Sequence, residues 1–197
     1  MESTELDNSD TRSKIILVAV DMIGRHSNLN ITTREIAKKA SVNLAAINYY
    51  FRSKENLFNE VESYFVEKTS AIYNELLKSN LESREKIIMW ARKTMEHLIE
   101  FPGILFLLAT KLIKEKGRNP GISEMINNFE DSLTPIVIQL LKSDDKELVS
   151  FKVTQLLSGV ITPVLIYHAA NKTPHQSNIN NDMVRNKYID NLVNSVI

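Results

Sequence analysis

The chain has 197 residues, with 24 basic and 24 acidic side chains for a formal net charge of zero, and is 43% apolar. That apolar share can build one good core, or a small domain plus a medium one, and it argues against wholesale disorder. No cysteine is present, which excludes disulfides and thiolate metal sites, and five glycines and five prolines favour long helices over strands and turns.

No apolar run approaches the ~20 residues needed to cross a bilayer. The acidic opening MESTELDNSD lacks the basic and apolar regions of a secretion signal, so the expectation is a cytoplasmic protein with no membrane partner. The zero net charge conceals an uneven distribution. Residues 1–10 hold four acids and no base, whereas residues 11–54 hold eight bases against Asp21 and Glu35. A small basic module on a weakly acidic body suits phosphate binding by the module.

In chain order, residues 1–9 are polar without apolar periodicity and are predicted to be a disordered tail. Asp10 or Thr11 caps a first helix running to about Arg25. Its IILVAV run is rich in β-branched residues, but no turn signal interrupts it, and Ile16, Ala19, Val20 and Ile23 share one helical face. From Ile31 to Phe58 the chain reads ITTREIAKKASVNLAAINYYFRSKENLF. This is the pattern of two short helices and a tight turn packed on the start of a third, the helix-turn-helix. Thr32 and Glu35 have capping-box spacing, Ile36, Ala37 and Ala40 face inward, and Ser41 and Val42 make the turn. Asn43 caps the second motif helix, behind which Ala46, Ile47 and Tyr50 have inward spacing.

A long fourth helix is predicted from its cap at Ser53 to about Ser79, burying Leu57, Val61, Tyr64, Phe65, Ala71, Ile72 and Leu76. It starts in the basic module and ends in the body. A fifth helix runs from about Glu82 to Glu100, ahead of Pro102. The sixth covers Gly103 to about Lys116 and is closed by GRNPG. The seventh covers about Ile122 to Lys142, with Pro135 a candidate bend. The eighth, about Asp145 to Ala170, is apolar nearly all round and must be covered on all sides, a second copy of the chain being one cover. After the loop NKTPHQSNINN, a last helix fits Asp182 to Val196, with Val184, Tyr188, Leu192 and Val196 in register. There is no internal repeat or low-complexity tract.

If the second motif helix enters a major groove, its exposed face is Asn43, Leu44, Ala45, Asn48 and Tyr49. Asn48 can pair with adenine, and Leu44 and Ala45 can touch thymine methyls. Phosphate contacts would come from Thr32 and Thr33 at a helix N-terminus, the Tyr50 hydroxyl and Lys54, with Arg34, Arg52, Lys38 and Lys39 adding charge at the edge. Several of these have plainer readings: Asn43 is at least a cap, Tyr50 is half core, and Lys38 and Lys39 are simply solvated.

The run of IILVAV, TREIAKKA, a short turn, NLAAINYYF and SKENLF resembles the N-terminal domain of TetR-family transcriptional regulators. Tyr49, Tyr50, Phe51, Ser53, Lys54, Glu55 and Leu57 carry the likeness, which covers residues 12–60. Ser27 and Ser41 depart from it, standing where many members have glycine. The resemblance implies an all-α chain of about nine helices. Residues 10–56 would form a three-helix helix-turn-helix domain, joined by the long fourth helix to a helical effector-binding and dimerisation domain over 57–197.

It further implies a homodimer built on the eighth and ninth helices, with Gln155, Ser158, Gly159, Thr162, Tyr188 and Leu192 at the interface. An effector pocket would be lined by Trp90, Thr94, His97, Phe101, Phe106, Met125, Phe129 and Tyr167, although each aromatic also reads as ordinary core. The implied function is a sequence-specific repressor without a cofactor, released from a palindromic double-stranded operator by a small hydrophobic or amphipathic ligand. A ligand-independent architectural or division-associated DNA-binding protein is the alternative. An enzyme is disfavoured, because there is no glycine-rich phosphate loop, H-E-x-x-H or cysteine nucleophile, and His26, His97, His168 and His175 are dispersed.

Overall fold

The computed structural model describes residues 2–26, 30–115, 120–169 and 178–197, with side chains throughout except at 2–9, 112, 114, 115 and 120–126. Among these residues the chain is all-α. It runs α1 (Glu2–Val20), a π turn (Asp21–Arg25), α2 (Thr33–Ala40), α3 (Leu44–Phe51) and α4 (Lys54–Lys78). There follow α5 (Ser83–Glu100), α6 (Gly103–Glu115), α7 (Pro120–Leu141), α8 (Lys146–Ala169) and α9 (Asp182–Val196).

Helix ends fall where the local chemistry puts them. Ser53 Oγ accepts from the Asn56 N–H at 3.1 Å, Asp145 Oδ1 from Glu147 at 3.0 Å, and Asn181 Oδ1 from Val184 at 3.2 Å. Each satisfies a donor that the first helical turn leaves without an intrahelical partner. Pro135 and Pro163 sit inside α7 and α8, which continue through them. Residues 116–119, most of the GRNPG turn, and 170–177, most of the NKTPHQSNINN loop, lie outside the described residues, as does Ser27.

The start of the chain differs from expectation. Helix α1 begins at Glu2, so residues 2–9 continue the helix where a disordered tail was predicted. A helix supplies its own backbone hydrogen bonds without apolar periodicity, and the acids of this segment suit its positive N-terminal end. At the other end the α-helix stops at Val20 and becomes the π turn. A Cβ on Gly103 would stand 1.8 Å from the Ile23 carbonyl oxygen, and one on Gly24 2.8 Å from Phe101 and 2.9 Å from Phe65. Backbone therefore lies directly on backbone where the π turn meets the start of α6, which only glycine permits.

Two cores result. The first gathers Ile15, Ala19, Ile23, Ile36, Ile47 and Phe51 with Leu57, Val61 and Phe65 of α4, and it recruits Ile104 and Leu107 from α6. The second centres on Tyr73, Leu76, Ile87, Trp90, Met95, Leu133, Leu156, Val160 and Val193. Helix α4 thus serves both. Ala71, expected on its buried side, is exposed, and Tyr73 takes the inward place because the stripe runs Phe65, Tyr73, Leu76. Arg185 fastens the start of α9, donating to the Ile179 carbonyl at 3.1 Å, Glu96 at 3.2 Å and Asp182 at 2.9 Å.

Helix α8 buries Val149, Val153, Leu156, Val160, Val164 and Tyr167 against α5, α7 and α9. Its outer side exposes Leu148, Phe151 and Ile166. Contrary to the sequence expectation, α8 is long and apolar enough to cross a membrane by length and composition, with a mean hydropathy of 1.5. Thr154, Gln155, Ser158 and Thr162 are scattered along it, so no short stretch reads as a span although the helix as a whole stays apolar. In this fold it is a core helix of the body.

Candidate nucleic-acid interface

The sequence from Thr32 to Ser53 closes its own helix ends, and this aims α3. Glu35 Oε2 accepts from the Thr32 N–H and hydroxyl, both at 2.7 Å, while Thr32 Oγ1 accepts from the Glu35 N–H at 3.2 Å. The Thr32 N–H and hydroxyl hold the exposed Glu35 carboxyl below its ordinary value. Thr32 therefore spends its donors on the capping box, and a phosphate at this helix end would have to compete with Glu35.

Ser41, in the left-handed region at φ 54°, ends α2, and Val42 N–H bonds back to the Ala37 carbonyl at 3.0 Å. A serine here accepts a cost of about 1 kcal/mol that glycine would avoid. Asn43 Oδ1 caps α3 through the Ala45 N–H at 2.9 Å. Arg52, at φ 63°, closes α3 with its N–H on the Asn48 carbonyl at 3.0 Å.

Between these caps α3 has two sides. Ile47 and Phe51 are buried, Leu44 and Tyr50 are half-buried on the same core, and Ala46 is half-buried. Asn43, Ala45, Asn48 and Tyr49 face outward, Tyr49 with 72% of its surface exposed. Tyr49 stands edge-on to Tyr50, with ring centroids 5.1 Å apart. Thr32, Arg34, Arg52 and Lys54 are exposed around this edge, Thr33 is half-buried, and Lys54 lies 4.9 Å over the Phe58 ring. The residues expected to read bases do share one outward edge; Leu44 is the partial exception, drawn toward the core.

The basic charge is less available than its count suggests. Lys39 pairs with Asp21 at 2.5 Å, Arg25 bridges Asp21 at 3.1 Å and Glu100 at 2.5 Å, and Arg12 meets Glu60 at 2.6 Å. Lys39 above all, against a smaller opposing effect of burial, holds the Asp21 carboxyl below its ordinary value. Lys39 was expected to be an edge charge or a solvated one; here it ties α2 to the π turn. Arg25, lying 4.9 Å over Phe101, carries that tie to the end of α5. This joint was not legible in the sequence, since it depends on contacts between distant segments.

In the body, the pocket candidates Trp90, Thr94, Phe129 and Tyr167 are buried, while His97, Phe101 and Phe106 are half-buried. The Met125 side chain lies outside the described residues. Among the described residues Thr94 Oγ1 and His97 Nε2 make no hydrogen bond, and the Tyr73 hydroxyl and Trp90 Nε1 have at best each other. Such orphans cost about 1–3 kcal/mol each in a closed interior. Burial pushes the Tyr73 hydroxyl up, and it holds the His97 imidazole below its ordinary value.

Of the interface candidates, Gln155, Ser158 and Thr162 are exposed on α8. Gly159, Tyr188 and Leu192 instead join α8 to α9 within the chain. The Tyr188 hydroxyl donates to the Gly159 carbonyl at 2.7 Å, and a Cβ on Gly159 would stand 2.4 Å from Leu192.

Residues 15–61 match the family of bacterial regulatory proteins, tetR family. Over 53 residues the chain is 42% identical to the HTH-type transcriptional dual regulator CecR of Shigella flexneri, covering 27% of this chain and 23% of that protein. The match thus spans about a quarter of that relative's length. The whole fold is similar to a transcriptional regulator from Rhodococcus sp. Rha1, with a TM-score of 0.70 and 14% identity over 94% of this chain and 95% of that one. It is also similar to the transcriptional regulator FadR from Bacillus subtilis in complex with stearoyl-CoA. There the TM-score is 0.65 and the identity 19%, over 94% of this chain and 98% of that one.

Proposed function

The chain belongs, through residues 15–61, to the TetR family of bacterial regulatory proteins, and from that premise we propose a cytoplasmic, homodimeric, sequence-specific repressor released from its operator by a small molecule. The observation that carries the reading is the outward edge of α3, Ala45, Asn48 and Tyr49, held between two caps over a buried Ile47 and Phe51. In the major groove Asn48 pairs with adenine and Ala45 meets a thymine methyl, each good base contact contributing roughly 1–3 kcal/mol of discrimination. Thr33, Arg34, Tyr50 and Lys54 place the module on the phosphates.

One module buries too little surface to choose a site in a genome. Pairing of two chains through the outer side of α8, with Phe151, Gln155, Ser158 and Thr162, sets two readers on half-sites roughly 34–36 Å apart or a multiple of that spacing. The FadR relative in complex with stearoyl-CoA supports a body that takes a small molecule. A ligand that shifts the end of α5 acts on the reader through Phe101, Arg25, Asp21 and Lys39. Such coupling is typically ~1–3 kcal/mol, a loss of operator affinity of roughly 5- to 150-fold.

Selection of bound sequences from random duplexes tests this directly. The expected result is an inverted repeat; the absence of any enriched sequence from the pure dimer would overturn the reading.

A further inference from the structure

Trp90, Thr94 and His97 stand at i, i+4 and i+7 on α5 and so share one face, about 10 Å from end to end. Tyr73 of α4 lies opposite Trp90, with ring centroids 6.4 Å apart. Tyr73, Trp90 and Thr94 are 3%, 0% and 5% exposed, yet among the described residues Thr94 Oγ1 and His97 Nε2 find no hydrogen bond, and the Tyr73 hydroxyl and Trp90 Nε1 have at best each other. Native interiors rarely leave such atoms unpaired, and Thr94 and His97, one turn apart on the same face, call for a common partner. The rest of the lining is aromatic. Phe129 is 4.8 Å from Tyr73, and Phe65 and Phe101 are 6.2 Å and 5.5 Å from His97.

Among the described residues around this stretch, Lys111 pairs with Glu62, Lys93 with Glu75, Arg25 with Glu100 and Arg185 with Glu96. Lys68 rests over the Tyr64 ring. Among the described residues an anionic headgroup would meet no basic side chain buried in the seam, and it would lose its hydration on entry.

Resting on the ligand-responsive reading above, we propose that the Tyr73–Trp90–Thr94–His97 seam binds an uncharged, flat molecule with a hydrogen-bonding group at each end. Burial holds the His97 imidazole below its ordinary value, favouring its uncharged form, which matches such a guest. Trp90 shows no exposed surface, so entry parts α4 from α5 and the bound molecule holds an opened minor state. Because α4 also carries Leu57, Val61 and Phe65 of the reader core, parting it displaces the reader.

The test uses the full chain and four probes: 4,4′-dihydroxybiphenyl, biphenyl, dodecanoate and stearoyl-CoA. Affinity is measured by calorimetry, and operator release by fluorescence anisotropy. The diol is expected to bind at least tenfold more tightly than biphenyl and to release the operator. Thr94→Val, and separately His97→Phe, should erase that preference while biphenyl still binds, which also reports that the variants are folded. A preference that survives both variants overturns the placement. Tighter binding and operator release by dodecanoate or stearoyl-CoA overturns the uncharged class and leaves the ligand-responsive reading standing. If no probe binds, the assignment of the seam falls, whatever other small molecule releases the operator.

Discussion

Every helix end between Thr32 and Ser53 is closed by a neighbouring side chain or a left-handed residue, whereas the body leaves Thr94 and His97 with polar atoms unpaired among the described residues inside and Leu148, Phe151 and Ile166 exposed outside. The reader is finished by contacts a few residues apart. On the proposed reading the body is completed by something beyond its own chain, a twin on α8 and a guest in the seam. A module that must present the same edge to every duplex gains from being self-capped and rigid. A module that must respond needs groups whose satisfaction differs between two states.

The largest effect that would test this contrast falls in the body. Trp90→Ala, removing a fully buried ring, should cost about 3–5 kcal/mol in urea unfolding, and an unchanged midpoint would mean the body is not built around it. Next is Phe151→Glu on the outer side of α8. With 57% of Phe151 exposed, helicity by circular dichroism should hold, while sedimentation shows monomers and operator affinity drops about 100-fold, or ~2.7 kcal/mol. A dimer that persists would move the interface elsewhere.

Tyr49→Ala should weaken operator binding more than tenfold, at least ~1.4 kcal/mol, with no shift in melting temperature. A change in melting with unchanged affinity would reverse the assignment of that edge. The smallest effect is acid sensitivity of the reader. Glu35 and Asp21 have folded values below their ordinary 4.5 and 3.8, so their contributions are complete above those values and are lost as pH falls through the lower, folded ones. Glu35→Gln should flatten the loss of unfolding midpoint between pH 5 and 3; an identical slope would show the capping box to be energetically silent.

Much of this was legible residue by residue. The bounds of α4 and α9, the Thr32–Glu35 box and the Asn43 cap follow from side chains adjacent to the groups they satisfy. The outward edge of α3 follows from the spacing of Ile47 and Phe51 alone. The charge estimate held less well, because Arg12 and Lys39 are bases in the sequence but ion-pair partners of Glu60 and Asp21 in the fold. Gly159 was read as a place for a second chain, yet Leu192 and Tyr188 of its own chain occupy that approach.

The amino-acid order by itself settled which segments are helices, where most of them stop and which side of α3 faces out, since each depends on 3.6-residue periodicity and on caps within four residues. Tertiary structure alone decided the π turn under Gly103, the Asp21–Arg25–Glu100 tie and the unpaired seam along α5. Each of these arises where segments far apart in the chain come within van der Waals distance, and no local pattern records that distance.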